Sequence, residues 1–225
     1  MFFFDSTMIF LLPAIIISAW AQFKIKASFS KYSKVNSANG YTGAQVARML
    51  LDGAGLFDIP VEIVQGKLTD HYDPTSRIMR LSKEVYNGTS VASIGVAAHE
   101  TGHAMQDKEN YVPLKIRNSI VPAVNFSSNA SWILFIMGVI LSVPSLINIG
   151  IVLFSAVVVF QLITLPVEFN ASSRALNILE SRSILYGDEI KGARSVLNAA
   201  AMTYLSAALM AVSQLIRLLL IGRNR

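Results

Sequence analysis

The residues best suited to chemistry in this chain are two histidines four positions apart, His99 and His103, with Glu100 directly after the first. Residues four apart lie on one face of a helix, so the two imidazole rings point at one place. The plain alternative is two histidines on the surface or in the core of an ordinary helix. The chain has only three histidines, however, and two of them fall in the pattern H-E-x-x-H. The pattern predicts a zinc site, in which Glu100 takes a proton from water that the metal activates.

The segment around this motif favours a helix packed in a protein core. Apolar residues precede His99, and the small residues Gly102 and Ala104 follow it. Thr89 or Ser90 is expected to cap the helix at its start, because side-chain oxygens there accept bonds from free backbone N–H groups. Polar segments bound the helix on both sides and leave it too short to cross a membrane. This argues against a protease that cuts within the bilayer.

A catalytic zinc ion needs a third protein ligand, and the chain has no cysteine to provide it. Besides His71, the candidates are the carboxylates after His103, which are Asp107, Glu109, Glu168, Glu180, Asp188 and Glu189. Asp107 shares a helix face with His103, but one helix can hardly surround a metal. Glu168 follows Pro166 at the expected start of a helix (167–179), with Ser172 one turn later to orient a ligand. The alternative is a carboxylate stabilised by the helix dipole, and spacing alone leaves both open.

The composition indicates a membrane protein. Apolar residues make up 53% of the 225 residues and charged residues 15%, whereas soluble domains carry about a quarter charged residues. The net charge of +5 comes from scattered basic residues without interleaved aromatics, so no nucleic-acid partner is expected. The lipid bilayer is the expected environment. The oligomeric state is not indicated by the sequence.

The sequence contains four apolar runs, which predict about four membrane-associated helices. The first, residues 8–23, precedes Lys24 and Lys26 and is typical of a retained anchor rather than a cleaved signal peptide. Residues 132–143 and 147–165 are separated by Pro144, which favours a hairpin of two spans over one long helix. The last run, residues 202–222, contains Arg217 and either spans or lies against the bundle.

The most polar part of the chain is expected to be a small α+β domain. Thr42 and Gln45 form a capping box that opens a helix. Residues 61–64 are predicted to form a short strand. Residues 68–72 and 77–81 are predicted to form a strand pair with a turn at Asp73 and Pro74. The strand at 77–81 is the expected sheet edge, where an extended substrate could pair.

The expected domain organisation has five parts. They are an N-terminal transmembrane anchor (1–23), a zinc-peptidase domain (24–125), a transmembrane hairpin (126–166), a second catalytic helix region (167–200) and a C-terminal membrane helix (201–225). Sixteen of the nineteen Lys and Arg residues fall in 24–125 and 167–200. The positive-inside rule therefore places the catalytic part in the cytoplasm of a multi-pass protein of a bacterial-type plasma membrane.

Three segments (68–74, 99–106 and 165–172) together resemble the YugP-type neutral zinc metallopeptidases of bacterial membranes. The resemblance covers nearly the whole chain. The segment at Glu168 is also similar to the glutamate-ligand helix of gluzincins and of the HtpX-type membrane proteases, which usually have an aspartate where this chain has Ser172. The resemblance implies a gluzincin-like α+β catalytic domain that holds one Zn²⁺ ion through His99, His103 and Glu168.

The function that follows is a membrane-anchored zinc endopeptidase, with polypeptides, including membrane proteins, as substrates. Glu100 is the expected general base, and His71 is the first choice, ahead of Tyr72, Tyr111, Tyr186 and Arg174, for the donor that stabilises the oxyanion. One alternative is a non-catalytic scaffold or adaptor stabilised by metal. Such a site has no need of a base and is normally closed by four protein ligands. A small transporter or channel subunit is a further alternative, but it leaves the zinc motif unexplained.

Overall fold

The computed structural model describes residues 6–223 and is mainly helical, as predicted, with one small sheet. Residues 1–5 of the expected anchor and residues 224–225 of the expected last segment lie outside this part. After a short 3-10 helix (Ser6–Phe10), the elements are α1 (Leu12–Tyr32), α2 (Gly43–Gly53), β1 (Val61–Val64), β2 (His71–Asp73), β3 (Ile78–Ser82), α3 (Lys83–Asn87), α4 (Val91–Lys108), α5 (Val112–Leu141), α6 (Pro144–Ser181) and α7 (Asp188–Arg223). The chain forms two compact units, which we call the site unit (residues 23–114 and 167–201) and the helical unit (residues 6–22, 115–166 and 202–223).

The sheet of the site unit has the strand order β1-β3-β2. β2 and β3 form the expected antiparallel hairpin, and β1 pairs in parallel with the other side of β3. The expectation that β3 is a sheet edge is therefore wrong, because both of its sides are already paired. β1 and β2 are the edges of this sheet.

Two helices of the site unit, α2 and α4, begin where the sequence predicts. The capping box opens α2: Gln45 N–H donates to Thr42 Oγ1 at 3.2 Å, and Thr42 N–H donates to Gln45 Oε1 at 2.9 Å. Ser90 caps α4, with its Oγ accepting from Ser93 N–H at 3.1 Å. Satisfying these N–H groups fixes where each helix starts.

Two apolar clusters enclose α4, the helix of the H-E-x-x-H motif. On one side Ile94 and Ala98 pack in a cluster with residues of α6 and α7, including Leu179 and Leu197. On the other side a second cluster joins α4 to α2 and the sheet through Ala97, Ala104, Leu51, Met79 and Leu81. A helix buried on both sides has little freedom to rotate or slide, so its side chains can be held in fixed positions.

Among residues 6–223, three helices, α5, α6 and α7, are long and apolar enough to cross a membrane by length and composition. α1 is not among these three, and Lys24, Lys26 and Lys31 in its second half reduce its apolar character. The expected fourth membrane helix therefore stays a prediction. In the helical unit, α5 and α6 are separated at residues 142–143, which confirms the expected break at Pro144 and excludes one long helix.

Glu168 lies well inside α6, which begins at Pro144 and continues through Pro166. The expectation of a new helix starting near residue 167 is wrong, because one proline removes a single backbone hydrogen bond and the flanking turns continue the helix. Glu168 is consequently not at a helix N-terminus. Stabilisation by the helix dipole, which acts within the first turn, does not explain its position.

Candidate metal centre

α4 and α6 bring His99, His103 and Glu168 together in the site unit. Glu168 Oε2 lies 3.3 Å from His99 Nε2 and 3.6 Å from His103 Nε2. One possible ligand atom from each of the three residues lies within 4.8 Å of the others. The three side chains that the sequence singled out thus converge on one point.

The distances in this group fit the geometry of a bound zinc ion. Ligand atoms 2.0–2.2 Å from a tetrahedral metal are roughly 3.3–3.6 Å from one another. Both separations measured to Glu168 Oε2 fall in that range. Two imidazoles and one carboxylate are also a ligand set that zinc adopts in catalytic sites, where the fourth position is left for water. Within the described residues the group has three members, as such a site requires.

The other ring nitrogen of each histidine has a hydrogen-bond partner of its own. His99 Nδ1 lies 3.2 Å from Ser172 Oγ, and His103 Nδ1 lies 3.0 Å from Gln106 Oε1. Ser172 thus contacts the ring of His99. With each Nδ1 engaged, each Nε2 is the nitrogen that faces Glu168. Contacts of this kind hold the ring of a metal ligand in place.

Glu100 is a buried carboxylate next to this group. Its Oε2 accepts a hydrogen bond from Tyr72 N–H at 3.2 Å, so β2 lies against the start of the motif. Burial raises the pKa of Glu100 above its ordinary value, although the charges of His99 and His103 act in the opposite direction. A carboxylate with a raised pKa is better suited to accept and later release a proton near neutral pH.

The protonation of His103 depends on its carboxylate neighbours. Burial by itself lowers the pKa of His103, but the hydrogen bond with Glu168 and the charge of Glu100 outweigh it and raise the pKa overall. The His103 imidazole is thus a group that balances the buried Glu168 carboxylate. A bound metal cation would take over that role.

His71 does not belong to the converging group. Its ring is exposed on β2, with Nδ1 2.8 Å from the carbonyl oxygen of Thr69. The neighbouring Tyr72 is buried, and its hydroxyl donates to Asp107 Oδ2 at 2.9 Å. Asp107, the carboxylate one turn after His103 that the sequence also offered as a candidate ligand, is thus hydrogen-bonded to Tyr72. The outward position of His71 and the inward position of Tyr72 follow from the alternation of side chains along a strand.

Two features of the site were not predicted from the sequence. Gln106 is completely buried and bonds to His103. Gly102 lies where α4 and α6 come into backbone contact. A polar residue three positions after the second histidine of the motif, in an otherwise apolar helix, was the available signal for Gln106. The partner of Gly102 is on another helix, so its role required the structure.

The fold and the site together define a membrane-associated helical protein with a candidate metal centre of two histidines and one glutamate. The chain matches the family described as "Putative neutral zinc metallopeptidase" over residues 7–223. It is 53% identical over 213 residues to "Putative membrane protease YugP" of Bacillus subtilis (strain 168), and the match covers 95% of each chain. No solved structure matches it. The chain belongs to this neutral zinc metallopeptidase family, which confirms the resemblance seen in the sequence.

Proposed function

We propose that this protein is a membrane-bound endopeptidase that depends on one zinc ion held by His99, His103 and Glu168. The observation that carries the proposal is the convergence of two Nε2 atoms and one carboxylate oxygen beside the buried Glu100. The name of the family and the printed name of the relative, a membrane protease, support the same reaction.

Glu100 has the role of general base in this proposal. A zinc ion in the site supplies Lewis acidity and lowers the pKa of water to about 7. Glu100 accepts a proton from the attacking water and delivers it to the leaving amine of the cut peptide bond. The Tyr72 N–H bond to Oε2 fixes the orientation of the carboxylate, and burial makes it a stronger proton acceptor than a solvated glutamate.

His71 is our proposed donor to the negative charge that develops on the substrate carbonyl oxygen. Its support is its place in β2, directly before the residue whose N–H contacts Glu100. Its exposed ring can meet a substrate that approaches from solvent. A donor aimed at this developing charge is worth about 10²–10³ in kcat.

We further propose that the protein cuts polypeptides near the cytoplasmic face of the membrane. Glu168 follows the apolar run 147–165 within one continuous helix, and the Lys and Arg residues are concentrated in 24–125 and 167–200. Segments of membrane proteins are suitable substrates for such a site. A purely structural metal site is normally closed by four protein ligands, whereas the group found in residues 6–223 has three.

The test is metal analysis and cleavage of a generic unfolded protein by the purified full-length chain in detergent, with wild type compared to Glu100→Gln. We expect about one zinc per chain in both, and loss of cleavage by at least about 10²-fold in the variant. Equal cleavage by both proteins would reject Glu100 as the base. Zinc without cleavage in the wild type would favour the scaffold alternative.

A further inference from the structure

We propose that Gln106 is a positioning residue that sets which nitrogen of His103 is available to the metal. This inference rests on the proposed zinc site and concerns how the chain prepares it. Gln106 is completely buried on α4, three residues after His103. Its side chain forms three hydrogen bonds, which leave its amide only one possible orientation.

The orientation of the Gln106 amide is fixed by two acceptors on α6. Gln106 Nε2 donates to the backbone carbonyl of Val167 at 2.8 Å and to Asn170 Oδ1 at 2.9 Å. A carbonyl can only accept, so an amide turned the other way would place oxygen against oxygen. Gln106 Oε1 is therefore the atom that faces His103.

Asn170 is itself held in one orientation by Arg174. Arg174 Nε donates to Asn170 Oδ1 at 2.7 Å, and the guanidinium also pairs with Glu109 at 2.7 Å. An arginine has donors only, so Asn170 must present its oxygen to Arg174 Nε, and the same oxygen accepts from Gln106 Nε2. The constraint thus runs from Arg174 through Asn170 to Gln106.

The consequence falls on the imidazole of His103. Gln106 Oε1 lies 3.0 Å from His103 Nδ1 and can only accept, so Nδ1 carries the hydrogen. In the neutral ring the lone pair is then on Nε2, the atom 3.6 Å from Glu168 Oε2. His99 has no such constraint, because the Ser172 hydroxyl at its Nδ1 can donate or accept. Gln106 prepares one of the two ligand histidines for the metal before the metal arrives.

The experiment measures the zinc affinity of the full-length protein in detergent by competition with a chromophoric chelator. Gln106→Met removes every bond and should weaken zinc binding by about 10–100-fold. Gln106→Glu keeps an acceptor for His103 Nδ1–H, so zinc affinity should stay within about threefold of wild type. The same variant loses both donors to α6, so its melting temperature should fall. Gln214→Met makes the same change at a buried glutamine of the helical unit and should leave zinc affinity unchanged.

Equal losses in the Met and Glu variants would overturn the proposal, since Gln106 would then act only by joining α4 to α6. Unchanged affinity in Gln106→Met would overturn it as well. A wild-type protein that binds no zinc would instead reject the proposed function, and this inference with it.

A second pair of variants keeps the test decisive if Gln106→Met does not fold. Asn170→Asp still accepts from both Gln106 and Arg174 and should bind zinc within about threefold of wild type. Asn170→Leu removes the acceptor and should weaken binding by about tenfold. Equal zinc affinity in these two variants would count against a constraint that runs through Asn170.

Discussion

Gly102 and Ala171 are in direct backbone contact between α4 and α6. A Cβ atom on Gly102 would lie 2.7 Å from the carbonyl oxygen of Ala171 and 3.2 Å from its Cα. Real Cβ atoms do not come that close to a backbone oxygen, so no larger residue fits unless α6 moves away. Gly102 lies one position before His103, and Ala171 lies three after Glu168. The absence of a side chain at Gly102 therefore sets the distance between α4, which carries the two histidines, and α6, which carries Glu168.

Replacing Gly102 by alanine should separate Glu168 from the two histidines. We expect Gly102→Ala to weaken zinc binding by more than about tenfold and to destabilise the protein by about 1–3 kcal/mol, the usual effect of overpacking. Chelator competition and thermal unfolding measure the two effects. The control is Gly95→Ala on the same helix, where a Cβ would meet Ala193 Cβ at an ordinary 3.5 Å. Equal zinc affinity in the two variants would show that the close contact is not needed for the site.

Ser172 should contribute less to zinc binding than Gln106 does. Ser172→Ala leaves His99 Nδ1 without its partner at 3.2 Å, but the serine hydroxyl does not fix which nitrogen carries the hydrogen. We expect zinc affinity to fall by about tenfold, the lower end of the range for residues that support a metal ligand. Ser181→Ala, at an exposed serine of the same helix, is the matched control. A larger loss in Ser172→Ala than in Gln106→Met would reverse this order.

The local parts of the structure could be predicted from the sequence because their causes are local. The α2 capping box involves residues three apart, and the start of α4 at Ser90 follows the same chemistry. The two histidines of the motif face one point because helix geometry leaves no other choice. The β2–β3 hairpin was found because its two strands are adjacent in sequence.

Most of the features that the sequence did not predict depend on contacts between distant segments. The parallel pairing of β1 with β3 places a strand across from one that is not its neighbour in sequence. Pro166 suggested a helix boundary, but α6 continues through it, and only the fold shows this. The contacts of Gln106 with Val167 and Asn170 cross from one helix to another, so no spacing rule indicates them.

Asp73 should make the stability of the site unit depend on acidic pH. Hydrogen bonds from Ser76 and Arg80 hold the pKa of this carboxyl below its ordinary value at the β2–β3 turn. A lowered folded-state pKa contributes stability above the unfolded pKa of about 3.9, and this stability is lost as pH falls through the folded value.

We therefore expect Asp73→Asn to be less stable than wild type by about 1 kcal/mol at pH 7. The difference should shrink steadily below about pH 4. Thermal unfolding of both proteins across this pH range, with chelator present to remove any contribution of zinc, gives the measurement. A difference that is constant with pH would mean that the Asp73 charge contributes no stability.

His71 provides the last test, because the proposed role requires a specific kinetic result. His71→Ala should lower kcat by about 10²-fold, the effect of removing one donor to a developing oxyanion, while zinc affinity stays at the wild-type value. The ring is exposed and its Nδ1 contacts the nearby Thr69 carbonyl oxygen, so little stability should be lost. Thr75→Ala, at another exposed residue of the same hairpin, controls for general disturbance of β2. Since a donor acts on the transition state, the loss must appear in kcat rather than in KM alone. An unchanged kcat would remove His71 from the mechanism and leave the oxyanion to another group.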